Sequence, residues 1–94
     1  MAKRTRPEDE AWTHYASQLA TNLRRLRAEA GLSQEDVAYR SGLTRYTYQK
    51  YEKGESRPGS PANPTLRTML ALSRVLGVTV ASLIPPDAPD LRSR

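Results

Sequence analysis

The chain has 94 residues, no cysteine, no phenylalanine, one histidine, and fifteen Lys/Arg against ten Asp/Glu, a net charge of +5. That length suits one domain burying roughly 60–65% of its unfolded surface, too little for a deep enzyme cleft with a second supporting domain. Without cysteine there is no disulfide framework, Cys-ligated zinc or thiol chemistry. No apolar run approaches the ~20 residues of a membrane span, and no apolar stretch follows the basic start, so neither a membrane span nor a secretory signal is expected.

Residues 1–7 are read as a flexible basic arm. Lys3-Arg4-Thr5-Arg6 has the charge to reach a DNA groove, but a solvated terminus is the plainer expectation. From residue 8, apolar side chains recur at Trp12, Tyr15, Leu19, Leu23, Leu26 and Ala30, the spacing of one stripe on a long first helix. Pro7 and three acids open it and Gly31 stops it. Ser33 with Asp36 three residues on caps a second, short helix through Val37 and Ala38, ended by Gly42. Thr44 caps a third helix running to Lys53, closed by Gly54.

Residues 54–64 hold three prolines and two glycines and are read as a loop without regular structure. A fourth helix begins near Thr65, with Leu66, Met69, Leu70, Leu72 and Val75/Leu76 expected on its buried side. Thr79 caps a last helix, Val80 to Ile84. Residues 85–94 are read as a flexible Pro-rich tail. No segment alternates polar with apolar, so the expected class is all-α. Both ends are charge-balanced: residues 19–84 hold ten Lys/Arg and five Asp/Glu, which is the whole excess. A basic middle points to a polyanionic partner and says nothing of fold.

Two short helices joined by a glycine turn outline a helix-turn-helix, here spanning about residues 33–53 of a domain at residues 8–84. Gln34, Ala38, Gly42, Tyr48 and Tyr51 fall at offsets 0, +4, +8, +14 and +17. A small residue at +4 lets the helices cross closely, glycine at +8 makes the turn, and the bodies at +14 and +17 anchor the second helix. Leu32-Ser33-Gln34-Glu35-Asp36-Val37-Ala38, Gly42-Leu43-Thr44, Tyr51-Glu52-Lys53-Gly54 and Leu76-Gly77-Val78 resemble the Cro/C1-type helix-turn-helix family of bacterial and phage transcriptional regulators. The likeness covers about residues 19–84. It implies a compact five-helix, lambda-repressor-like DNA-binding domain, here with its first helix extended at the N-terminus.

In such domains the second helix of the motif enters the major groove and the first touches backbone. The resemblance therefore implies base reading by Thr44, Arg45, Tyr46, Gln49 and Lys50, with Arg45 suited to a bidentate contact on guanine. Tyr46 has two readings, a thymine methyl or a phosphate. Ser33, Gln34, Thr47, Arg57 and Ser60 are the phosphate candidates. Glu52, odd among basic residues on a DNA-facing helix, is implied to pair with Arg27 of the first helix, burying its charge. The expected partner is double-stranded DNA, the expected assembly a homodimer, the expected setting the bacterial cytoplasm and its nucleoid. No cofactor, metal or membrane is implied, since His14 has no second ligand. Any small-molecule effector is unknown.

Three features depart from the family or leave readings open. Tyr48 stands where the family usually has Val or Ile, which requires a larger pocket or a tilted helix. Residues 58–62 look inserted, either to lay Arg57 and Ser60 along a phosphate strand or as a tolerated surface loop. Trp12 and Tyr15 either cap the bundle's own core or form part of a dimer surface. An aromatic platform for single strands is rejected, because Tyr48 and Tyr51 are needed in the core. The competing job for this fold is a protein-interaction module or antitoxin-like component, and residues 85–94 offer it only Leu91. An enzyme lacks a nucleophile–base pair that one histidine in the first helix serves.

Overall fold

Four of the five helices among the described residues open in the same way, on a Ser or Thr in extended backbone whose hydroxyl accepts the main-chain N–H three residues on. In the computed structural model, which describes residues 7–92, these caps are Ser33, Thr44, Thr65 and Thr79. They start α2 (Gln34–Arg40), α3 (Arg45–Glu52), α4 (Leu66–Leu76) and α5 (Val80–Leu83), behind the long α1 (Pro7–Ala30). Each such cap contributes about 1 kcal/mol. Ser33 forms the full reciprocal box, its own N–H bonding the Asp36 carboxylate at 3.2 Å. Residues 1–6 of the basic arm, with Ser93 and Arg94, lie outside the described residues.

The exits are as regular. After α2 the Gly42 N–H bonds the Tyr39 carbonyl and the Leu43 N–H bonds that of Ala38, with Gly42 at φ +73°. That double bond needs a left-handed residue, and glycine adopts it without a Cβ clash. The turn leaves α2 and α3 packed across Ala38, as its small side chain requires.

One core joins all five helices. Leu19, Leu23 and Leu26 of α1 meet Val37 and Ala38 of α2, Tyr48 of α3, Met69, Leu72 and Leu76 of α4, and Leu83 of α5. Tyr51 packs against this cluster only in part. Asn22 Nδ2 donates to the Leu83 carbonyl at 3.1 Å, tying α5 back to α1.

Two expectations need correction. The class is not purely α: residues Glu55–Arg57 (β1) and Ser60–Pro61 (β2) pair antiparallel, Glu55 opposite Pro61 and Arg57 opposite Ser60, with a register irregularity between. The Pro and Gly content read as forbidding order is what makes the hairpin. Pro58-Gly59, with Gly59 at φ +81°, suits a tight turn, and Pro61 sits in an edge strand that needs no N–H there. Gly54 enters the hairpin at φ +76° so close to α1 that a Cβ would lie 3.3 Å from Ser17 Cα.

The second correction concerns α4. Its buried side is Met69, Leu72, Ser73 and Leu76, while Leu66 is 71% and Leu70 51% exposed. Ser73 takes a core-facing position because its hydroxyl donates to the Leu70 carbonyl at 2.8 Å, so it buries no unmet polar group. The stripe is therefore turned away from both leucines.

The aromatic pair of α1 is half-buried. The Trp12 and Tyr15 rings lie 5.8 Å apart, and the Tyr15 hydroxyl donates to the Pro85 carbonyl at 2.7 Å. Pro85 is itself buried, so the chain after α5 passes over α1.

Candidate nucleic-acid interface

Glu52 is the most buried charged group described, 3% exposed at the last turn of α3. Arg27 Nε donates to its Oε2 at 2.6 Å and Arg27 Nη2 to its Oε1 at 3.2 Å, a two-pronged pair from α1 to α3. Arg27 Nη1 also donates to the Leu32 carbonyl at 3.1 Å, reaching the chain that leads into α2. The Tyr48 hydroxyl, one turn back on α3, donates to Oε2 at 2.5 Å, and Gln34 Nε2 of α2 to Oε1 at 2.8 Å. One carboxylate thus holds three helices by four hydrogen bonds. Burial alone raises its pKa, but the donors from Arg27, Tyr48 and Gln34 outweigh burial and hold it below the ordinary carboxylate range. Burial, then the bond to Glu52, drives the Tyr48 phenol strongly upward, so it stays a donor.

Tyr48 in place of a β-branched residue is accommodated neither by an empty pocket nor by a polar atom left unmet. The ring fills the core and the hydroxyl completes Glu52. The sequence carried this signal: a carboxylate four residues after a core tyrosine lies on the same helix face.

With the inner side of α3 fixed in this way, Arg45, Tyr46, Gln49 and Lys50 fall within an arc of about 140°, at ~100° per residue, that begins at Arg45 beside the Glu52 edge and ends at Lys50 on the opposite side. Arg45 and Tyr46 are exposed, Tyr46 by 66%. Thr44 is engaged as the cap, accepting from the Thr47 N–H at 3.0 Å and donating to Thr47 Oγ1 at 2.9 Å. Lys50 Nζ stands over the Tyr46 ring, 4.4 Å from its centroid, a contact that fixes where the ammonium points. Gln49 turns toward α2, its Nε2 donating to Gln34 Oε1 at 3.2 Å.

Apart from Thr47, which sits in the first turn of α3 against Thr44, the phosphate candidates divide into two groups. Ser33 and Gln34 lie at the start of α2, beside Gln49, while Arg57 and Ser60 lie in the hairpin, where Arg57 Nε donates to Ser60 Oγ at 3.3 Å. The hairpin borders the reading helix, because Pro58 and Glu55 share a depression with Tyr46, Lys50 and Lys53. Sequence reasoning missed Lys53 here, and missed that Gln34 and Gln49 are bonded to each other. Among the described residues no group of three His, Asp or Glu side chains is placed to hold a metal ion, and no helix is long and apolar enough to cross a membrane.

Comparison with known proteins agrees with this architecture. Residues 18–83 match the helix-turn-helix domain family, and the chain belongs to it. Among relatives it is 37% identical over 68 residues to y4dJ, an HTH-type transcriptional regulator of Sinorhizobium fredii, covering 72% of this chain and 80% of that one. It is also 37% identical over 72 residues to the cryptic phage CTXphi transcriptional repressor RstR of Vibrio cholerae, covering 77% of this chain and 60% of that one. Among solved structures, the restriction-modification controller protein C.AhdI of Aeromonas hydrophila superposes with a TM-score of 0.64 at 33% identity, covering 73% of this chain and 96% of that one.

Proposed function

We propose that this protein is a cytoplasmic, sequence-specific regulator of transcription that binds double-stranded DNA, of the repressor or restriction-modification controller kind, and is not an enzyme. The observation that carries the reading is the two-sidedness of α3. Its inner side is locked by Glu52 and Tyr48, and its outer side presents Arg45, Tyr46, Gln49 and Lys50 free of the core. A helix so held enters a major groove without losing its packing. Arg45 is assigned to guanine and Lys50, aimed by Tyr46, to a neighbouring base edge. Gln49 reads alongside them or sets the position of Gln34. Thr44 opens the helix beside them, and Ser33, Gln34, Thr47, Arg57 and Ser60 are assigned to phosphates.

The regulator acts as a homodimer in this proposal, with the outer side of α4 as the subunit contact. Leu66 and Leu70 lie one turn apart there and expose most of their surface, an unexplained cost for a monomer. A two-fold dimer reads two half-sites about 34–36 Å apart, one helical turn of DNA. Selection from random duplexes tests both parts. The expected result is a palindromic site with half-sites one turn apart. Recovery of duplexes with no shared sequence would refute the reading.

A further inference from the structure

Arg24 stands on α1, one turn before Arg27 and outside the helix-turn-helix motif. Its Nη1 donates to the main-chain carbonyl of Glu52, at the last residue of α3, and its Nη2 to Thr21 Oγ1 at 3.1 Å. A guanidinium has five N–H donors, so three remain for a ligand. The side chain lines an open cleft together with Gln34, Gln49, Glu52 and Lys53. The Glu52 carboxylate there is already occupied by Arg27, Tyr48 and Gln34. Among the described residues no carboxylate lies within ion-pair distance of Arg24 or Lys53. Two cations from different elements therefore share a cleft whose one acid is neutralised. Lys53 also borders the depression holding Tyr46, Lys50 and Glu55, so cations run from the reading side of α3, around its C-terminus, to α1, with Glu55 the acid bordering that path.

We propose that Arg24 and Lys53 form a phosphate-binding pair that grips the DNA strand flanking the groove entered by α3. The inference rests on the DNA-binding reading above, and it adds α1 to an interface otherwise confined to the motif and the hairpin. The Glu52 carbonyl anchors the guanidinium beforehand, so little side-chain freedom is lost when a phosphate oxygen arrives. A phosphate that reaches Gln34 in this cleft is within the same lining as Arg24, and the two contacts reinforce one register on the duplex.

The alternative is that Arg24 only complements the C-terminal end of α3. Salt dependence separates the two. Affinity of the full chain is measured between about 50 and 200 mM salt for wild type, Arg24→Gln, Arg24→Lys, Lys53→Gln and the Arg24→Gln/Lys53→Gln double variant, on a selected duplex and on a scrambled one, with a melting curve for each. Each lost phosphate contact should lower the slope of log affinity against log salt by ~0.9. We expect that loss for Arg24→Gln and for Lys53→Gln, about twice it for the double variant, and none for Arg24→Lys, equally on both duplexes. An unchanged slope in Arg24→Gln, whatever its melting temperature, overturns the proposal, and so does a loss confined to the selected duplex. Should Arg24→Gln not fold, Lys53→Gln and Arg24→Lys decide it by the same slopes. A wild type without sequence preference refutes the regulator reading separately, since the slope is still read on the scrambled duplex.

Discussion

Glu52→Ala is the most informative single change in this molecule. It removes a 3%-exposed carboxylate and strands three donors at once: the Arg27 guanidinium, the Tyr48 hydroxyl and the Gln34 amide. Breaking one half of a buried ion pair costs about 3–5 kcal/mol, because the remaining charge loses its partner without regaining water. Arg27 retains some exposure and its bond to the Leu32 carbonyl, which favours the lower end of that range. A domain of this size has about 5–14 kcal/mol in all. At ~4–8 °C per kcal/mol, the expected fall in Tm is about 12–40 °C. Thermal unfolding followed by circular dichroism, with urea titration for ΔG, measures it. A melting point within about 2 °C of wild type would refute the claim that this carboxylate organises the three helices. The pH dependence gives an independent check. Because the folded pKa of Glu52 is depressed, its contribution is complete above the ordinary value of 4.5 and is lost as pH falls through the folded value. The stability gap between wild type and Glu52→Gln should therefore be full near neutrality and narrow in acid. A gap that widens in acid contradicts the argument.

Tyr48→Phe keeps the buried ring and deletes one hydrogen bond to a charged acceptor, for a cost of about 1.5–3 kcal/mol in urea unfolding; a neutral result would mean that the hydroxyl contributes nothing to Glu52. Arg45→Ala should leave the melting curve unchanged and relax one position of the selected site by ~1–3 kcal/mol, read by competition with single-base variants. An equal loss on all sequences would reassign Arg45 to phosphate. Leu66→Glu with Leu70→Glu should give a folded monomer by sedimentation, with affinity for the two-half-site duplex lowered by at least ~10²-fold. A dimer that persists would place the subunit contact elsewhere.

Helix starts and stops were legible in the sequence because they are written by single residues. Ser33, Thr44, Thr65 and Thr79 each accept the N–H three positions on, and no distant contact is needed to choose them. The hairpin at residues 55–61 was not legible, since prolines and glycines were counted as breakers while their order, Pro58-Gly59 between two short extended stretches, is a turn. The outward Leu66 and Leu70 were missed for another reason. Apolar residues cover more than half of α4's circumference, and only the neighbours decide which part faces in. Hydrophobicity alone puts Ser73 outside, while its bond to the Leu70 carbonyl admits it to the core.

The charge of the motif shows how stability and recognition meet at one residue. Residues 33–57 carry five cations against four acids, an unpromising balance for a surface that meets a polyanion. Position resolves it. Glu52 is withdrawn from the surface and neutralised by Arg27, which itself lies outside the motif. Asp36 is held to Ser33, its pKa lowered by the Ser33 N–H, at the start of α2. Around α3 that leaves Arg45, Lys50 and Lys53, with Glu55 bordering the depression of Lys50 and Lys53, and the exposed Glu35 bordering, with Asp36, that of Arg45. A carboxylate on the DNA-facing helix thus strengthens the cationic face by leaving it, and in doing so it fixes the angle at which that face is presented. A variant that replaces Arg27 and Glu52 with apolar residues of like volume would separate the two roles. It should recover part of the stability lost in Glu52→Ala, the stranded Tyr48 hydroxyl keeping it below wild type, and lose the bond that seats Gln34 and, through Gln34, Gln49. If the paired replacement binds the selected site as tightly as wild type, then Glu52 serves the fold alone.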